Sequence, residues 1–222
     1  MARTITINVT NNSPNGQDFF FFQQPAQYAG VPQVYTNSLF TQPLPSGMVL
    51  TLTMILQYYA GVNPQLLPPR IGQPSGPLAV GQPVNLTPAA GGVPTANTTT
   101  MSVTPSLRLS APVATTGPQP GSFRIITPNY NPALANYNAG SAIELPQGEI
   151  SFSNFVTARP NINLDCQPAL VFYVETGSYA AGTVIDFTQS SAHAAPCDAT
   201  PGYTTFNVTY NPSGTWTVVP MA

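Results

Sequence analysis

Apolar and polar positions alternate with a period of two along much of this chain. In Thr4-Ile5-Thr6-Ile7-Asn8-Val9-Thr10 the apolar residues fall on one face and the polar ones on the other, which marks a half-buried strand. NNSPNG at 11–16 reads as the turn that follows. Phe19, Phe20, Phe21 and Phe22 run without a polar break, which predicts a strand buried on both faces. Further strands are predicted over 33–40, 49–59, 101–109 and 123–127. Others follow at short spacing over 149–157, 169–175, 183–188, 204–210 and 215–219. NPSG at 211–214 supplies a hairpin turn between the last two.

Helix signals are poor. The 26 Pro and 17 Gly residues interrupt nearly every window long enough for a helix, and residues 132–137 suit one short turn at most. Many short strands separated by turn residues point to an all-β fold, an antiparallel β-sandwich or jelly roll, as a single domain over 1–222. Residues 63–100 differ from the rest. LLPPR, GQPSGP, GQP and AAGGVP lack periodicity, so this Pro/Gly-rich stretch reads as an insertion, either a linker or a long ordered loop packed on the sheets.

Charge changes the picture more than hydropathy does. Hydrophobic residues make up an ordinary 42%, but charged residues only 5%, against about 25% in a typical soluble domain. The five cations are all Arg, at 3, 70, 108, 124 and 159, and the net charge is −2. Disorder usually combines low hydropathy with high net charge, and neither holds here. The chain therefore reads as ordered, with a neutral polar surface that offers little repulsion between copies. Five dispersed Arg form no basic stripe, which argues against nucleic acid as a partner. The N-terminal segment lacks the apolar stretch of a secretory signal, and no apolar run approaches the roughly 20 residues of a membrane span. The expectation is cytoplasmic synthesis without membrane insertion, with any export using a route that needs no cleaved signal.

Candidate chemistry is sparse, and neither a catalytic nor a metal site is expected. His193 is the one histidine, in SSAHAAPC. A triad would draw on Ser190 or Ser191 with Asp186 or Asp198, but no nucleophile-elbow motif surrounds them, and His193 reads as a loop residue. Three Cys and His in total fall short of a zinc set, and no calcium loop is present. Glu144 and Glu149 read as surface acids rather than a glycosidase pair. Cys166 and Cys197 would close a loop of about 30 residues if bonded, contributing roughly 3 kcal/mol. The alternative is two reduced, buried thiols. The N-x-S/T sequences at Asn8, Asn11, Asn85, Asn97 and Asn207 read as chance in an Asn/Thr-rich chain.

Two kinds of surface role remain. Tyr28, Tyr35, Tyr58, Tyr59, Tyr130, Tyr137, Tyr179, Tyr203 and Trp216 have the chemistry to stack on neutral sugars, to fill protein interfaces or to pack in the core. The segment Thr4–Thr10 is the candidate strand for β-strand addition between subunits.

NVTNNSPNGQDFFFFQQP with PQVYTNSLFTQPLPSG, and the later SNFVTARP, LVFYVETGSYAAGTVIDFT and NPSGTWTV, resemble the rhizosphere-induced family of small bacterial proteins and its companions. The resemblance covers about the first sixty and last seventy residues. It implies a soluble β protein without an established activity, so it supplies no functional residues. The reading that follows is a non-enzymatic structural protein without cofactor that self-associates into a filament, lattice or inclusion. A lectin-like module for neutral glycans and a viral capsid-type jelly roll are the alternatives.

Overall fold

A computed structural model describes residues 3–146 and 148–222; Met1, Ala2 and Gln147, which the expected domain includes, lie outside the described residues. The chain is all-β. It begins with β1 (Arg3–Asn11), β2 (Gln17–Gln23), β3 (Gln27–Tyr28), β4 (Tyr35–Leu44), β5 (Val49–Pro64) and β6 (Val80–Val84). The middle holds β7 (Thr98–Ser102), β8 (Arg108–Leu109), β9 (Phe123–Ile126), β10 (Tyr137–Glu144), β11 (Ile150–Thr157) and β12 (Asn163–Gln167). Then come β13 (Val171–Thr176), β14 (Val184–Ile185), the short helix α1 (Phe187–His193), β15 (Ala195–Asp198), β16 (Thr205–Tyr210) and β17 (Trp216–Met221). No helix among the described residues is long and apolar enough to cross a membrane.

The first sheet runs β15-β13-β2-β4-β11-β10-β5-β1-β16-β17, with β14 and β6 attached to β4 and β5. Its end strands β15 and β17 return against each other, so it is nearly closed into a barrel. The second sheet runs β3-β12-β9-β7-β8. The all-β, sandwich-like expectation holds, and pairing is mostly antiparallel, with two parallel exceptions. β1 lies parallel to β16, and β7 lies parallel to β9. Both are long-range pairings that no hairpin signal encodes.

The alternation in β1 does what it predicts: Ile5, Ile7 and Val9 are fully buried, and they pack in the barrel core with Phe19, Phe21, Leu52 and Phe206. The Phe run in β2 serves two cores. Phe19 and Phe21 enter the barrel, while Phe20 and Phe22 face a separate cluster closed by Ile185, Tyr173 and Phe187. Phe187 belongs to α1, where the sequence predicts a strand over 183–188. The strand ends at Ile185, and Asp186 caps the helix by accepting from the Gln189 amide at 3.1 Å. His193 is therefore the last residue of α1 rather than part of a loop.

Residues 63–100 are an ordered part of the fold, not a linker. They supply β6, paired from Tyr58↔Val84 to Val62↔Val80, and a bridge between Pro74 and Thr183. The Asn63 side-chain amide donates to the carbonyls of Ser75 and Pro77 at 3.2 and 3.1 Å, fastening the Pro-rich turn to the end of β5. The predicted strand 101–109 breaks around Pro105 into β7 and β8, which pair with each other. Five strands that the sequence reading omits, β3, β6, β10, β12 and β15, complete the sheets. A third core, lined by Ala60, Val62, Ala139 and Val156 from one sheet and by Phe123, Ile125, Leu164 and Cys166 from the other, joins the two sheets.

Candidate functional site: an uncharged sheet face

Four neighbouring strands, β5, β1, β16 and β17, present alternate residues outward in register. Ile5, Ile7 and Val9 point into the barrel, so Thr6, Asn8 and Thr10 point out. The pairings set three ranks across the face: Thr53–Thr6–Thr205–Met221, Thr51–Asn8–Asn207–Val219 and Val49–Thr10–Thr209–Thr217. Neighbours within a rank stand about 4.8 Å apart, and ranks repeat about every 6.7 Å along the strands. None of these twelve residues is ionisable.

Side chains in the middle of the face bond to one another. Thr51 Oγ1 donates to Asn8 Oδ1 at 2.8 Å, Asn8 Nδ2 donates to Asn207 Oδ1 at 2.9 Å, and Asn207 Nδ2 reaches Met221 Sδ at 3.8 Å. This relay crosses all four strands. It spends the polar capacity of the rank sideways, within the face. Apolar side chains frame it, with Val49 57%, Ile55 43%, Val219 51% and Met221 42% exposed. The adjacent β10 brings the carboxylate Glu144 opposite Ile55, where it accepts from the Tyr59 hydroxyl at 2.8 Å. Burial and that carboxylate push the Tyr59 phenol up to about 12.

The strand proposed for donation lies inside this face rather than at an edge. β1 is paired on both sides, with β5 and with β16, so its backbone groups are already used. The edges are blunted mainly by proline and by short length, with Arg108 in β8 and Asp198 in β15 as the charges on them. β15 carries Pro196, β17 carries Pro220 and β6 carries Pro83, while β3, β8 and β14 are two residues long.

The nominated aromatics are not gathered at one place, although Tyr130 and Tyr137 touch. Tyr28 is buried between the sheets, where its hydroxyl donates toward Asn154 and accepts from the Ser141 amide at 3.0 Å. Tyr35 stacks on Phe155 at 5.4 Å, and Tyr58 lies half-buried against the inter-sheet core. Tyr130 and Tyr137 meet edge to face at 5.1 Å, with the Tyr130 hydroxyl donating to the Ala158 carbonyl. Tyr179 covers Phe20 at 4.9 Å, and Tyr203 packs on Phe206 at 6.5 Å. Trp216 packs against Phe19 and Tyr210, and its Nε1 donates to the His193 carbonyl at 2.7 Å. These contacts are spread over separate cores and form no common platform for a sugar ring.

Cys166 and Cys197 are unbonded and buried, one in the inter-sheet core and the other in the barrel core. The disulfide alternative is thus replaced by two separate thiols. Burial raises both: Cys197 is pushed up to about 12 and Cys166 higher still. Near His193, burial raises the Glu175 carboxylate of β13 above its ordinary value, while Ser190 and His193 act to lower it. Among the described residues no group of three or more His, Cys, Asp or Glu is placed to hold a metal ion. Asn11 and Asn97 are fully buried, so two of the N-x-S/T sequences are structural.

A cleft of about 170 Å³ lies between β3 and β12, lined by Gln27, Tyr28, Ala29, Gln119, Ser122, Asp165 and Gln167. Asp165 is held there by Arg124, through Nε at 2.6 Å and Nη2 at 2.8 Å. Ligand pockets usually run from about 300 Å³ upward, and a wider but shallow, open cleft of about 430 Å³ lies over residues 16–18 and 43–46. The uncharged face is the more extensive candidate. Its local signal, Thr-x-Thr or Thr-x-Asn in β1, β5 and β16, is available in the sequence; the adjacency of those strands is not. Comparison of the chain with protein-family models, with curated proteins and with solved structures gives no match.

Proposed function

We propose that this chain is a non-enzymatic structural protein that associates with copies of itself through the β5–β1–β16–β17 face. The single observation that carries the reading is the rank Thr51–Asn8–Asn207, whose polar atoms are paired within the face. Covering a polar surface is costly when its donors and acceptors lose water without replacement. Here the central amides keep their partners when a second copy arrives. The framing Val49, Ile55, Val219 and Met221 add apolar area, and no charge in the ranks opposes close approach. Face-to-face docking takes the place of strand addition, because the sheet edges are short or carry proline.

The face measures roughly 19 by 20 Å, so a pair of copies covers on the order of 800 Å² in total, below the usual 1,200–2,000 Å² of a stable complex. Each contact is weak, and order arises only where many contacts add. The resemblance to the rhizosphere-induced family accords with an abundant β protein acting by its surface, and remains part of this proposal. Sedimentation velocity from about 1 to 500 μM, with negative-stain imaging of the concentrated protein, tests it. Growth of dimers and larger bodies with concentration is expected. A single monomeric boundary throughout discards the reading.

A further inference from the structure

The end of the fold where β5 stops and β10 starts carries leucines that pack on nothing. Leu66 is 88% exposed, Leu67 80% and Leu134 84%. They come from two loops held side by side, because the Gln65 amide donates to the Asn136 carbonyl at 2.8 Å. The Gln65 side chain also donates to Asn138 Oδ1 and Thr157 Oγ1, which anchors the pair to the sheet end. Pro68 and Pro69 follow directly and restrict the loop's freedom to fold its leucines back. Isolated exposed apolar residues need no explanation, but three at over three-quarters exposure on one anchored tip do.

The surroundings of the tip say what it fits. Behind it lie Tyr130 and Tyr137, half-buried, with an aromatic body and a polar end each. Two of the chain's five Arg are here and exposed, Arg70 in the leucine loop and Arg159 next to Ala158, the residue bonded to both tyrosines. Apolar tip, amphipathic tyrosines and guanidinium groups have the chemistry of the acyl edge, the interfacial layer and the phosphates of a lipid surface, respectively. We propose that this end of the protein docks onto an anionic lipid surface. Leu66, Leu67 and Leu134 enter the headgroup–acyl boundary, and Arg70 and Arg159 face phosphate oxygens. This is a surface contact and not a span. It uses the end of the sheet, so it leaves the uncharged face open and does not depend on the self-association reading.

Co-sedimentation of the full chain with vesicles tests it, using phosphatidylcholine alone and phosphatidylcholine with one-third phosphatidylglycerol. Binding to the anionic vesicles is expected to weaken with salt. Withdrawing one leucine from water changes partition by roughly tenfold or more. Leu66→Ser with Leu67→Ser should therefore cut the bound fraction at least tenfold at unchanged melting temperature, and Arg70→Gln with Arg159→Gln about threefold or more. Absence of binding to anionic vesicles overturns the proposal, as does equal binding to both compositions or by the leucine variant. If the wild type ignores vesicles while the leucine variant alone lowers the sedimentation coefficient at high concentration, the tip is a contact between copies and the lipid assignment is wrong.

Discussion

Asn8 of β1 donates its side-chain amide to the Oδ1 of Asn207 of β16 at 2.9 Å, across a parallel pairing of strands 199 residues apart. This bond sits at the middle of the uncharged face and links the first strand of the chain to the last hairpin. A charge placed beside it is the direct test of what the face does. Thr51→Lys with Asn207→Lys puts two ammonium groups into the central rank, where each copy would meet its like. Self-association measured by sedimentation should weaken at least tenfold at low salt. The melting temperature should move by no more than about 4 °C, since each substitution at an exposed position usually costs under about 0.5 kcal/mol.

Gly140 of β10 is pressed both against its neighbouring strand β11 and against Tyr28 of the second sheet. A Cβ there would lie 2.4 Å from the Asn154 carbonyl oxygen and 2.6 Å from both Phe155 Cα and the Tyr28 hydroxyl. Two of these are backbone atoms and cannot step aside. Gly140→Ala should destabilise by about 3 kcal/mol, seen as a fall of roughly 6–12 °C in melting temperature. Tyr28→Phe should cost about 2 kcal/mol, because the buried Ser141 amide and Asn154 lose their shared partner.

Both thiols should be silent in the folded protein. Burial raises their ionisation far above neutrality, and Cys197 reaches about 12. Thiolate is the reactive form, so a chromogenic disulfide reagent at pH 8 should titrate less than a tenth of one thiol over an hour. Both should react at once in guanidinium. Intact mass under non-reducing conditions should show two free thiols.

Glu175 supplies a pH dependence with a definite sign. Burial raises its pKa from the ordinary 4.5, against the opposing effects of the Ser190 hydrogen bond and His193. The folded-state value lies above the unfolded one, so the stabilising contribution is fully present below pH 4.5 and is lost as pH rises through the folded value. At neutral pH the ionised carboxylate is a small net cost, less than about 1 kcal/mol because the side chain is partly solvated. Glu175→Gln keeps a partner for Ser190 and removes the charge. It should raise the melting temperature at pH 7 by about 1–2 °C and flatten the change between pH 4 and 6, measured by calorimetry.

Much of the strand content was legible because alternation is a local property. Ile5, Ile7 and Val9 announce their burial by their spacing, and Phe19–Phe22 announce a strand with two buried sides. The cover on the second side was not legible. Phe187 provides it from a seven-residue helix too short to show periodicity, inside a segment rich in strand-forming residues. The edges misled for a related reason. Few charges suggested unguarded strands, whereas Pro83, Pro196 and Pro220 guard them; a proline's role depends on which side of its strand is unpaired, and that is set by neighbours.

By itself, the sequence determined a sparsely charged, all-β chain with thin means for acid–base or metal chemistry, because composition and alternation are properties of each segment alone. Tertiary structure decided everything that depends on adjacency. It set β1 between β5 and β16 rather than at an edge, separated Cys166 from Cys197, dispersed the tyrosines among different cores, and aligned Thr51, Asn8 and Asn207 into one rank. Strand pairing minimises exposed apolar surface over the whole chain, so residues nearly two hundred positions apart become neighbours through burial that no local window contains.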